Sequence, residues 1–344
     1  MAVSIKDVAK HAGVSAMTVS RVVNGKKKVG KATREKVART IRALNYRPNK
    51  IAQSLVLKRS EVLSLVIPDT ANPFFAEMAR GVQDYARTRG YSVILCDTGG
   101  HADLEKELVE ISLRRMSDGL ILVAPRMSDE SISEISKFVP LVVVDRAIPG
   151  KRVLQVYIDN KDGARQATNH LIDLGHQRIG FVEGPANVLN SLRRKEGFLA
   201  ALKERGTRMQ SSLMKAGDFH VDSGYEAMKK FLQNRHLPTA IFASNDLMAF
   251  GLIVRAREGN VRVPDDLSIV GFDDIYFSSF SNPPLTTVRV PKFEMGVHAV
   301  KLLLSRLSEN QPIPDRENLR DTLVIRESTA RAPLQNHGLT GTRG

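Results

Sequence analysis

Residues 4–24 constrain this chain more than any other stretch. Ile5, Val8, Ala9 and Ala12 recur at i, i+3, i+4 and i+7, the apolar face of a helix. Ser4 precedes that face and Asp7 follows three residues on, which predicts a capping box with Asp in the place of Glu. His11-Ala12-Gly13-Val14 ends the pattern after about two turns. Ser15 then caps a second short helix. That helix buries Val19, Val22 and Val23 and leaves Met17, Ser20, Arg21 and Asn24 on its outer face. Two short helices joined by a glycine-containing turn form a helix-turn-helix, whose second helix fits the major groove of B-DNA.

A helical hairpin at the start of any globular domain would show the same apolar spacing, so charge has to separate the two readings. Residues 1–60 hold 15 of the 51 Lys/Arg but only 2 of the 37 Asp/Glu. All but one unit of the formal net charge of +14 therefore falls in that segment. A helix pair this short and this basic has the electrostatic footprint of a phosphate binder.

Ile5-Lys6-Asp7-Val8-Ala9, Ala12-Gly13-Val14-Ser15, Thr18-Val19-Ser20-Arg21-Val22 and Asn45-Tyr46-Arg47-Pro48-Asn49 carry a resemblance to the headpiece of the LacI/GalR family of bacterial transcriptional regulators. The resemblance implies an all-α headpiece over 1–47, a hinge helix and linker over 48–60, and an effector-binding and dimerisation core over 61–332. It places Ala16 and Met17 at the base-reading positions, with Ser15, Thr18, Ser20, Arg21 and Asn24 beside them. It also implies that the hinge segment Asn49-Lys50-Ile51-Ala52-Gln53-Ser54-Leu55 orders on operator binding. There Ala52 would lie in the minor groove and Leu55 would wedge between base pairs and kink the duplex. Ile51-Ala52 departs from the family's more usual Ala-Ala.

Elsewhere the residues speak for themselves. Lys26, Lys27 and Lys28 stand in a turn-rich loop that can meet phosphates. A third helix over 33–44 closes a small core through Val37, Ile41 and Leu44. The single cysteine, Cys96, cannot form an internal disulfide, which fits a reducing cytoplasm, and it reads as an inert strand residue. No apolar run approaches the length of a membrane span, about 18 residues. The N-terminus lacks the apolar segment of a secretory signal, so a cytoplasmic protein is expected.

From residue 62 short apolar runs alternate with amphipathic stretches. The runs 62–67, 91–96, 119–123, 141–144, 156–158, 179–182, 240–243 and 267–272 predict strands, and 74–89, 102–115, 161–174 and 195–205 predict helices. This alternation predicts parallel sheets covered on both faces. The strands are too many for one compact sheet, so an α/β core of two lobes is expected. Lobe 1 would take about 61–159 and 291–320, and lobe 2 about 160–290 and 321–332. The seams fall near 159–160 and near 281–291, where prolines interrupt the pattern. A last helix over 293–307 and a strand over 323–326 would cross back, and 333–344 reads as a disordered tail.

Ligands of open α/β sheets bind beyond the carboxyl ends of the strands. Those ends carry Asp69, Asp97, Asp145-Arg146, Asp159-Asn160, Asn245-Asp246 and Asp273-Asp274. Asp246 and Asn160 read as helix caps, whereas Asp273 and the Asp145-Arg146 pair read as ligand contacts. The core also resembles periplasmic sugar-binding proteins. That likeness implies an effector site of Asn72, Phe74, Phe75, Asp145, Arg146, Arg194, Phe219, Asn245 and Asp273. Planar donors and acceptors suit hydroxyls, and aromatic faces suit the C–H surfaces of a sugar. Val188 and Asn190 stand where purine-responsive members carry polar effector contacts, and Val188 argues against a purine.

No P-loop, GxSxG or metal-spaced His/Cys cluster occurs, so neither an enzyme nor a cofactor or metal is expected. A solute-binding transport protein is the rival class, opposed by the basic headpiece and the missing signal. The resemblance implies a homodimeric regulator, most simply a repressor, that binds pseudo-palindromic double-stranded operator DNA under allosteric control by a sugar or sugar derivative. Without leucine heptads after Arg331, a dimer is favoured over a tetramer.

Overall fold

The computed structural model describes residues 3–23, 29–46, 59–114, 117–148, 153–234, 236–308 and 314–333. The chain separates into two units, Met1–Ser60 and Glu61–Gly344.

In the first unit, α1 (Ile5–Ala12), α2 (Ala16–Val23) and α3 (Lys31–Ala43) surround a small core. The capping box forms as the Ser4-Asp7 spacing predicts. Ser4 Oγ accepts from the Asp7 N–H at 3.3 Å, and Asp7 Oδ2 accepts from the Ser4 N–H at 2.9 Å. Gly13 ends α1 in the left-handed region, φ +59°, which lets its N–H reach back to the carbonyls of Ala9 and Lys10. Val8, Ala12, Val19 and Val37 are fully buried, and Val22, Val23, Ile41 and Leu44 pack around them half-buried. The third helix starts earlier than the sequence pattern marks, with Gly30 at its N-cap. Asn24, the loop lysines and the hinge segment with Ala52 and Leu55 lie outside the described residues, as does the tail from 334.

The second unit holds β1 (Val62–Ile67), β2 (Ser92–Asp97), β3 (Gly119–Val123), β4 (Leu141–Val144), β5 (Leu154–Ile158), β6 (Ile179–Glu183), β7 (Met214–Ala216), β8 (Ala240–Ala243), β9 (Ser268–Asp273), β10 (Thr286–Arg289), β11 (Arg316–Leu319) and β12 (Thr322–Val324). Its helices are α4 (Pro73–Thr88), α5 (Ala102–Arg114), α6 (Asp129–Ile135), α7 (Asn160–Asp173), α8 (Leu189–Glu204), α9 (Val221–Leu232), α10 (Asp246–Glu258) and α11 (Lys292–Ser308). One sheet runs β11-β5-β4-β3-β1-β2, parallel throughout. The other runs β12-β10-β9-β8-β6-β7 and is parallel except for β12 on β10. The two sheets are the two lobes. β3, β4, β8 and β9 are buried along their whole length, as strands covered on both faces must be.

The chain crosses between lobes three times: from β5 into α7, from β10 into α11, and from β11 into β12. Three short connections leave a cleft that can open and close. Within lobe 1, α4 and α11 approach at their backbones. A Cβ at Gly81 would strike the Phe293 carbonyl, and one at Gly296 would strike the Met78 carbonyl.

Several elements differ from the sequence expectation. β7, β10 and β11 carry no long apolar run, and β7 and β11 lie at a sheet edge where half-burial suffices, whereas β12 falls close to the strand expected over 323–326. β10 lies between Pro284 and Pro291 and is buried over Thr286, Thr287 and Val288, so the prolines bracket a strand rather than interrupt one. The helix expected over 195–205 begins at Leu189. Cys96 stands half-buried in the edge strand β2. Among the described residues no helix is long and apolar enough to cross a membrane.

Candidate functional site

In the first unit, α2 turns Met17 and Arg21 outward. Ser15 Oγ accepts from the Thr18 N–H at 3.2 Å and lies 2.9 Å from the Thr18 hydroxyl, which anchors the N-terminal turn. Ala16 and Thr18 are half-buried, as is Ser20. Met17 is 63% exposed although it is apolar, and Arg21 stands exposed one turn further on. A helix that buries Val19 and holds out Met17 and Arg21 displays them to whatever lies in front of it.

In the second unit the cleft between the lobes measures about 550 Å³ and collects residues from both sheets. Asn72, Phe74, Phe75, Asp145, Arg194, Phe219, Asn245 and Asp273 all line it. Arg146, the ninth residue expected there, lines a neighbouring hollow of about 660 Å³ instead. Its guanidinium donates to the carbonyls of Pro125 (2.8 Å) and Met127 (2.7 Å) and pairs with Asp129, all within its own lobe.

Asn72 is the N-cap of α4: its Oδ1 accepts from the Phe74 N–H at 3.0 Å, with Pro73 opening the helix. The cap sets Phe75 half-buried on the cleft wall, while Phe74 turns into the core and meets it edge to face at 5.1 Å. Asn245 caps α10 through Oδ1 to the Met248 N–H at 3.0 Å, and its Nδ2 donates to the Phe219 carbonyl at 2.9 Å. Phe219 sits at φ +73°, and its ring lies where a Cβ on Gly184 would be. The glycine therefore makes room for the aromatic wall.

Arg194 is 4% exposed and fully engaged. It donates through Nε to Asn160 Oδ1 (2.8 Å) and through Nη1 to the Ser244 carbonyl (2.5 Å), and it pairs with Asp273 at 3.2 Å. It also lies flat against Phe272, 3.8 Å from the ring centroid. Asp273, at φ +112°, is buried, and burial raises its carboxyl to about 6 against the pull of Arg194 and Lys292. The Lys292 ammonium, itself buried, donates to the carbonyls of Asp273 and Asp274, both at 2.8 Å.

Two expected caps prove otherwise. Asp159 caps α7, and Asn160 holds Arg194 instead. Asp246 follows the true cap and turns inward. There it accepts from the Ile275 N–H (2.9 Å), Ser278 Oγ (2.7 Å) and Thr287 Oγ1 (2.5 Å), and burial together with Asp273 pushes it up to about 7. In both cases a tertiary partner outcompetes the free N–H groups of the helix end.

Asn190 has a role that its departure from the family pattern did not suggest. Its Nδ2 donates to the Asp145 carbonyl and to Asp145 Oδ2, both at 2.8 Å, and so ties α8 of lobe 2 to the end of β4 in lobe 1. Asp145 stands at φ +58° and is buried, which raises its carboxyl to about 6 although Arg194 and the amides of Asn160 and Asn190 oppose the shift. Arg126, also on the cleft, has no sequence signal beyond its place just after β3.

Residues 4–49 match the family described as bacterial regulatory proteins, lacI family, and residues 168–329 match a periplasmic binding protein-like domain. The chain is similar to the HTH-type transcriptional repressor PurR of Haemophilus influenzae (strain PittEE), at 37% identity over 330 residues. That alignment covers 94% of this chain and 98% of the relative. Among solved structures it resembles the lac repressor dimer bound to operator and the anti-inducer ONPF (TM-score 0.87, 31% identity, 96% of this chain and 100% of that one). It also resembles the complex of the transcriptional regulator CelR with cellobiose (TM-score 0.72, 33% identity, 95% and 99%).

Proposed function

The chain belongs to the lacI family of bacterial regulatory proteins, and from that premise we propose that α2 reads operator DNA while the two-lobe core takes a sugar or sugar derivative. It is a DNA-binding transcriptional regulator under ligand control, and it acts as a repressor in the cytoplasm rather than as an enzyme. The observation that carries this reading is the convergence of eight residues, spread from Asn72 to Asp273, on one cleft between two hinged lobes. A ligand held from both walls binds best when the lobes are closed, so occupancy and lobe geometry are linked. Phe75 and Phe219 suit the C–H faces of a sugar ring, and Asn72, Asp145, Arg194, Asn245 and Asp273 suit its hydroxyls.

The chain works as a homodimer on a pseudo-palindromic operator, each headpiece on one half-site. The exposed apolar surface of the core supports this. Ile94 and Leu95 stand out on β2, and Tyr276 and Phe280, each 69% exposed, form an aromatic cluster beyond β9. A second copy of the chain would cover such surface. In the first unit, Met17 can sense thymine methyl groups, and Arg21 can donate to a base or a phosphate. In the hinge segment, Ala52 and Leu55 take the minor groove.

A mobility-shift titration on the DNA upstream of the chain's own gene tests the whole reading. Sedimentation should give a dimer. The dimer should shift that DNA in preference to random sequence, and one sugar of a panel should change the apparent affinity. Operator and effector must then alter each other's affinity by the same factor. Binding of a sugar without specific DNA binding would favour the transport class, and a purine as sole effector would remove the sugar.

A further inference from the structure

Four arginines line the cleft and the hollow beside it, and their partners differ. Arg146 is held by Pro125, Met127 and Asp129, Arg193 by Glu196, and Arg194 by Asn160, Ser244 and Asp273. Arg126 is the exception. Among the described residues its guanidinium makes no hydrogen bond or ion pair, and its Nε is buried with no partner. The residue is nonetheless firmly placed. The N–H groups of Arg126 and Met127 donate to the buried Glu105 carboxylate, at 2.9 and 3.2 Å. The guanidinium lies beside Gly100, where a Cβ would stand 4.0 Å from Nη2. Burial disfavours its charge, and Glu105 opposes that effect only in part.

A half-buried guanidinium that Glu105 only partly offsets, and that no acceptor meets directly, is unfavourable unless something arrives to meet it. Sugar hydroxyls can accept a bond from a guanidinium but cannot neutralise it. A carboxylate or a phosphate does both, and its oxygens match the planar fork. On the same cleft, Asp145 Oδ1 is buried and lacks a hydrogen-bond partner, so it is an acceptor in want of a hydroxyl. No ion pair joins Arg126 to Asp145 among the described residues, so each is open to a ligand.

We infer that the effector is a polyhydroxylated molecule bearing one anionic group, a carboxylate or a phosphate, with the anion on Arg126 and a hydroxyl on Asp145. This rests on the sugar reading of the cleft and narrows it to acidic or phosphorylated sugars.

Calorimetry of the full-length chain tests it with matched series of glucose, galactose and ribose, their sugar acids and their phosphates. Within one series the acid or the phosphate should bind at least about tenfold tighter than the neutral parent. Which of the two binds distinguishes carboxylate from phosphate. Arg126→Gln should weaken the anionic ligand by about tenfold to a hundredfold, the range for a lost charge-assisted bond, and weaken the neutral parent by a clearly smaller factor, because the amide can still donate to a hydroxyl. Arg126→Lys should restore part of the loss, and thermal unfolding of both variants checks that they fold. Neutral sugars binding as tightly as their anionic forms, or undiminished binding by Arg126→Gln, would overturn the anionic group and leave the sugar reading standing. Silence of every sugar in the panel, with operator binding intact, would overturn both.

Discussion

Arg194→Met separates a cleft contact from a structural ion pair. In the structure this arginine is the nearest cation to Asp273, which is buried beside a second buried carboxyl, Asp246. Removing one partner of such a pair costs about 3–5 kcal/mol, because the other charge is left desolvated. For an α/β core of this size that is a fall in Tm of roughly 6–20 °C. The loss should depend on pH, with a sign the structure sets. Asp273 titrates at about 6 in the folded chain, above the ordinary Asp value near 3.8, so its folded carboxyl holds a proton longer than the unfolded one. Stability from this group is therefore fullest at low pH and declines as pH rises from about 4 through 6. Without Arg194 the folded value climbs further, and the decline continues above pH 6. The difference between wild type and Arg194→Met should thus be small at pH 5 and grow toward pH 8. Adding Asp273→Asn, a residue that also tolerates positive φ, should remove the share of the pH dependence that Asp273 carries, leaving that of Asp145, which Arg194 also holds down, and recover about 0.5–3 kcal/mol. Denaturant unfolding of the core at pH 5 and pH 8 for the four proteins of the cycle is the assay. Additive losses, or a loss independent of pH, would refute the argument.

Asp145→Asn replaces a carboxyl that burial holds near 6 with a neutral isostere, so relative to wild type it should be neutral near pH 4. By pH 7.5 it should be more stable by up to about 3 kcal/mol, and equal stability of the two proteins at both pH values would contradict this. Met17→Gln should change the half-site recovered by selection from random DNA while general affinity for DNA persists, and recovery of one and the same half-site would remove Met17 as a reader. Leu55→Ala should weaken operator binding by a few kcal/mol, about one unstacked step, yet spare salt-sensitive binding to random DNA. Equal losses on both DNAs would rule out a wedge.

Much of the architecture was legible in the residues because its causes are local. The Ser4-Asp7 box, the left-handed turn at Gly13 and the burial of Val8, Ala12 and Val19 need only neighbours within a few positions. Runs such as Leu141-Val142-Val143-Val144 announce strands covered on both faces. Not every edge strand announces itself: Arg316-Glu317-Asn318-Leu319 pairs through its backbone and leaves its polar side chains half in water.

The cleft divides along the same line. Strand ends marked Asp145, Arg146, Asn245 and Asp273, and a resemblance in sequence named the other five of nine candidates, of which eight line one cleft. Their roles depended on distances that no spacing encodes. Arg194 and Asp273 lie 79 positions apart and meet at 3.2 Å only because the fold of one lobe lays Arg194 of α8 against Phe272 at the end of β9. Arg146, which adjoins Asp145, is drawn aside by two carbonyls and Asp129. Asn160 and Asp246 gave up the capping role their positions suggested, since a buried cation or three donors lower the free energy of a desolvated polar group more than a helix end does. The sequence by itself determined where helices, strands and the basic headpiece fall, because these follow from hydrophobic period and local hydrogen bonding. Which polar groups satisfy one another, and which are left without a partner, was decided only by tertiary structure, because desolvation makes every buried charge depend on whatever the fold brings within about 3 Å of it.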